Sequence, residues 1–171
     1  MSERACGLWY NCTMNRLHTA PLRHVAVRAG LPPLPAVAQM PGISDALRLT
    51  IVYAQAPRRP PDRVATLKVE HTVTWMEVSY LTPGPPLHKR VRFLAEHYRA
   101  LKRSLAQLGF DRLDDQVTTQ LGGDLWLLER AAGGYHHDLV LMPGTASGVH
   151  LMLVDRIRQL WPEALREPVL V

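Results

Sequence analysis

The sequence predicts an α+β domain, a mostly antiparallel sheet carrying two helices on one face. Three observations lead there. Short β-branched runs punctuated by Pro and Gly fill residues 47–81 and 124–142. Two stretches, 87–110 and 148–161, repeat their apolar residues at helical spacing. The elements follow one another as β-β-α-β-β-β-α, an order in which helices gathered on one face bury both apolar stripes against one sheet.

Each element has its own justification. Residues 1–45 read as a Pro-rich, accessory and little-structured segment, because Pro21, Pro32, Pro33, Pro35 and Pro41 interrupt helix and strand alike. Residues 46–171 form the expected single domain. "LRLTIVYAQ" (47–55) is a strand with a Pro-rich exit. "RVATLKVEHTVTWMEVSYL" (63–81) reads as one long strand. Val69, His71, Val73 and Trp75 alternate on one face, and Met76, Val78 and Tyr80 continue one step out of phase. That slip asks for a β-bulge near Trp75-Met76 or burial of both faces.

"LHKRVRFLAEHYRALKRSLAQLGF" (87–110) is the clearest helix, with Val91, Leu94, Tyr98, Leu101, Leu105 and Leu108 in line and Gly109 as its stop. Leu94, Leu101 and Leu105 are expected against the sheet with Leu128, Leu139, Ile157 and Trp161. "DDQVTTQ" (114–120) reads as a short strand. "DLWLLER" (124–130) and "YHHDLVLM" (135–142) form a hairpin across Gly133-Gly134. A helix capped by Ser147 or Thr145 runs to about Trp161, where Pro162 ends it, and "EPVLV" adds a last strand. This order is similar to that of longin- and roadblock-type interaction domains. Without its first strand and the 114–120 strand it is similar to the ferredoxin-like order. Both are likenesses of element order, which imply a fold and no function.

Composition narrows the function classes. No apolar run reaches the ~18 residues of a membrane-spanning helix. Cys6 and Cys12 are the only cysteines, so neither a disulfide framework nor a thiolate metal site is expected, and the cytoplasm is the expected compartment. The net charge of +5 is uneven: residues 1–65 hold eight Arg against Glu3, Asp45 and Asp62, whereas residues 66–171 balance twelve bases with twelve acids. The high pI therefore does not describe the predicted domain, and nucleic acid is not the favoured partner.

Two clusters remain as candidate sites. Pairing across the Gly133-Gly134 turn sets Glu129 opposite Asp138 and Arg130 opposite His137, and puts Glu129, His136 and Asp138 on one face. Two facing carboxylates repel, and a cation would relieve that: a metal, a protonated His136 or an Arg from elsewhere. A shared proton is the acid/base version of the same idea. The stronger expectation is a solvent-facing hairpin end, where such a pair costs only about 0.2–1 kcal/mol. The second cluster is Lys89, Arg90, Arg92, Arg99, Lys102 and Arg103, six bases against Glu96 on one predicted helix, an expected site for an anion or nucleic acid. Nucleophile elbow, phosphate loop, dinucleotide fingerprint and HExxH are all missing. The expected function is a non-catalytic interaction or adaptor module with a protein partner or a second copy, no cofactor and no membrane span. A metal-assisted enzyme and an anion or nucleic-acid binder are the alternatives.

Overall fold

The computed structural model of the chain describes residues 19–54, 60–116 and 122–167. Six strands make one antiparallel sheet: β1 (Ile43–Val52), β2 (Arg63–Glu70), β3 (Val73–Tyr80), β4 (Leu87–Arg92), β5 (Leu125–Ala132) and β6 (Tyr135–Leu141), in the spatial order β4-β3-β2-β1-β5-β6. β1 lies inside the sheet and is buried on both sides. Leu47, Leu49 and Ile51 point to one face, Ala46, Arg48 and Thr50 to the other. The mixed α+β class expected from the sequence is what the chain adopts.

The first face holds the main core. Helix α3 (Ala95–Gln107) buries Tyr98, Leu101 and Leu105 there, and α4 (Gly148–Leu160) buries Leu153, Val154 and Ile157. Trp161, wholly buried, ends α4 just before Pro162. Leu101, Leu105, Leu128, Leu139, Ile157 and Trp161 all join this core, whereas Leu94 is 57% exposed at the N-cap of α3.

The opposite face carries two more helices: α1, helical over the described residues 19–28, and α2 (Leu34–Ala38). Leu22, Val25, Ala26 and Ala29 recur at helical spacing and pack on Val64, Leu127 and Val140. Gly30, at φ +71°, closes α1 by sending its N–H to Val27 O (2.9 Å) while Leu31 N–H reaches Ala26 O (3.0 Å). Leu34, Val37 and Ala38 of α2 pack on Ala46 and Ala131. Residues 19–38 are therefore a layer of the fold, in contrast to the accessory segment expected for 1–45; residues 1–18 lie outside the described residues.

Three other boundaries move. Residues 63–81 are two strands, and the phase slip is a two-residue turn at His71-Thr72 that pairs Glu70 with Val73. Gly42 makes that turn possible: its carbonyl accepts from His71 N–H (2.8 Å), and a Cβ on Gly42 would meet the His71 ring at 2.9 Å. The run 87–92 is edge strand β4 and the helix begins only at Ala95, so the order is β-β-β-β-α-β-β-α behind α1 and α2. Residues 114–116 are not a strand but cover the free edge of β6, with Asp115 Oδ1 accepting from Val140 N–H (2.7 Å) and Gln116 Oε1 from Met142 N–H (2.9 Å). The remainder of the expected 114–120 strand, and the end of "EPVLV", lie outside the described residues.

Candidate functional site: a cleft between the N-terminal helices and the sheet

The β5–β6 hairpin has the expected register: Ala132 opposes Tyr135, Arg130 opposes His137 and Glu129 opposes Asp138. What sequence reasoning missed is the cover. Glu129 is 4% exposed, because α1 and α2 lie over its face of the sheet. The hairpin end is therefore not simply solvent-facing.

Neighbouring strands extend the pair into a row. Successive register partners across all six strands are Asp138, Glu129, Arg48, Thr66, Glu77 and Arg90. Arg90 reaches Glu77 (3.6 Å) and Glu70 (3.0 Å) and lies over the Trp75 ring at 4.4 Å. Lys68 also pairs with Glu77 at 2.7 Å. Beneath α1 the row continues with Arg48, 2% exposed, whose Nε donates to Thr66 Oγ1 (3.1 Å) and Nη1 to Pro32 O (2.8 Å). Burial pushes the Arg48 guanidinium below its ordinary value, against the pull of the Glu129 and Glu77 carboxylates, and at neutral pH it keeps its charge. Arg23 of α1 pairs with Asp138.

The repulsion expected between Glu129 and Asp138 is thus relieved by arginine. Asp138 is taken by Arg23, and His136 Nε2 stands 3.5 Å from Glu129 Oε1. Glu129, His136 and Asp138 share a face, yet among the described residues no group of three His, Cys, Asp or Glu side chains is arranged to hold a metal ion. Asp138 has its own partner in Arg23 of α1, whereas Glu129 and His136 stay together. His137, on the other face, meets the Phe110 ring edge-on at 4.9 Å, and His150 Nε2 lies 2.9 Å from Asp114 O, away from this cluster.

Between α1, α2 and this polar row lies a cleft of about 430 Å³. Ala26, Val27, Leu31, Pro32, Pro33 and Pro35 make its apolar walls, and Arg48, Glu129 and His136 its floor, with Arg23 beside them. The proline run that argued against structure builds one wall. Its signal was available as a pattern: Leu22, Val25, Ala26 and Ala29 followed by Gly30 is an amphipathic turn with a glycine stop.

The basic cluster is divided. Lys89, Arg90 and Arg92 stand on β4, while Arg99, Lys102 and Arg103 stand on α3. Arg90 is paired within the sheet, and Lys102 pairs with the buried Asp45 at 2.5 Å. Arg130 also reaches Asp45, at 3.6 Å. Burial, reinforced by the Asp45 carboxylate, raises the neighbouring Tyr98 phenol. This corrects the single basic helix face expected over 89–103. Among the described residues no helix is long and apolar enough to cross a membrane.

Compared with the models of known protein families and with curated proteins, the chain matches none.

Proposed function

We propose that the chain is a non-catalytic binding module that receives part of a protein partner in the cleft between α1, α2 and the sheet. One observation carries this reading: an apolar-walled cleft of about 430 Å³ whose floor holds a buried carboxylate and a buried guanidinium. A concave, mostly apolar site with a few fixed polar groups is the usual form of a binding pocket, and its volume falls within the ~300–1,000 Å³ such sites span. Val27, 65% exposed, lines the rim of the cleft and is free to meet an incoming apolar group. No hydroxyl, thiol or amine nucleophile is among the described residues lining the cleft, and Asp138 and Arg48 are already engaged. These features favour recognition over turnover. The expected compartment is the cytoplasm.

A thermal-shift screen of small fragments, run in parallel on the native chain and on Val27→Trp, tests the proposal. Ligands of the folded state raise its apparent stability by mass action. Fragments that stabilise the native chain should lose that effect when Trp fills the rim. Hits that stabilise both proteins equally would place binding elsewhere and overturn the assignment.

A further inference from the structure

We infer that the group the cleft takes is an aliphatic cation, the ammonium of a lysine side chain on the partner, seated against Glu129. The inference rests on the reading of the cleft as the binding element.

The Glu129 side chain is more than nine-tenths buried, and its carboxylate accepts no hydrogen bond from any described residue. Its register neighbour Arg48 feels the Glu129 charge but has Nε committed to Thr66 and Nη1 to Pro32 O. The other guanidinium lining the cleft, Arg23, is held by Asp138. His136 Nε2 approaches one oxygen, Oε1, at 3.5 Å. A mostly buried carboxylate that still opens onto a cleft gains from a donor that enters there. With His136 already at Oε1, a compact ammonium suits the carboxylate better than a planar guanidinium fork, which seeks both carboxylate oxygens at once. The apolar walls of Val27, Leu31 and the three prolines fit a methylene stem behind the charged head. An anion would face the carboxylate, and a purely apolar group would leave it unsatisfied.

The test is an NMR titration of the methyl-labelled full chain with three probes: Nα-acetyl-lysine methylamide, and the norleucine and glutamate analogues capped in the same way. Capped lysine should bind about tenfold tighter than capped norleucine, the factor worth one well-placed charged contact, and capped glutamate weakest of the three. The shifts should fall on the Val27 and Leu31 methyls. In Glu129→Gln the advantage of lysine over norleucine should shrink to about twofold or less, and Val27→Trp should weaken all three probes. The contrast between probes on the native chain does not depend on either variant folding. Equal binding of lysine and norleucine, or a lysine advantage that survives Glu129→Gln, would overturn the cation while leaving the cleft in place. If none of the probes moves a cleft resonance, the cation and the cleft both fall.

Discussion

Replacing Leu22 with Ala asks whether α1 is a structural layer of the fold. Leu22 is wholly buried against Leu127 and Val140, with Val52 and Leu125 packed around them. The substitution removes three carbons, which at ~0.8 kcal/mol per buried methylene amounts to roughly 2.4 kcal/mol of lost transfer energy. β5 and β6 are held by their ladder and cannot close over the gap, so a cavity term is added. The total should be about 3–4 kcal/mol, within the range measured for buried Leu→Ala changes. At about 2–4 °C per kcal/mol for a unit of this size, the thermal midpoint should fall by roughly 10 °C. Urea unfolding followed by circular dichroism gives the free energy, and an unchanged slope shows that the transition is still two-state. Val27→Ala, on the same helix but 65% exposed, should stay within about 0.5 kcal/mol of the native chain. A loss below about 0.5 kcal/mol for Leu22→Ala would refute the docking of α1 on the sheet.

Other perturbations have equally definite outcomes. Asp45→Ala strands Lys102 and Arg130 beside the core; since both cations keep some water, the cost read by urea unfolding should be about 2–3 kcal/mol, and a neutral result would show the network to be idle. Burial pushes the Asp115 carboxyl up, opposed by its bond from Val140 N–H and reinforced by the Asp138 charge. Such a group holds its proton more tightly in the folded state, so stability declines as pH rises from the ordinary carboxylate value near ~4 to the raised one. Asp115→Asn removes that decline and should gain on the native chain across this interval; parallel pH profiles would contradict the assignment. Asp138→Asn loses only a half-exposed pair with Arg23, so it should cost under about 1 kcal/mol, and a chelator should leave the native chain unchanged. A chelator-sensitive melting point would revive a metal at the hairpin.

The two long-period signals were legible in the sequence because their packing is local. Leu101 and Leu105 recur within one helix, and the Gly133-Gly134 turn fixes the register of its own flanks, so core face and strand pairing followed without further information. Residues 87–92 show where local patterning fails: Val91 and Leu94 continue the helical spacing by coincidence, while the edge of β3 offers backbone partners that pairing with β4 satisfies. His71 reads as part of a strand because a turn that bends at a non-glycine residue, φ 55°, carries no composition signal. Of the candidate site, the facing of Glu129 and Asp138 is legible in the sequence, and so is the option that a cation relieves it. Which cation came was not, since Arg23 lies 115 positions from Asp138. Arg48 was passed over for the same reason: its role depends on Thr66 and Pro32, which only the folded sheet and the α1–α2 loop bring to it.

On our proposal a partner group enters the cleft between α1, α2 and the polar row. Intermolecular nuclear Overhauser contacts from a bound probe to the protein's methyl groups measure this directly. Contacts should appear to Ala26, Val27 and Leu31, which line the cleft, and none to Leu151 or Met152, exposed on α4. Contacts to the α4 methyls with silence from Ala26, Val27 and Leu31 would contradict it.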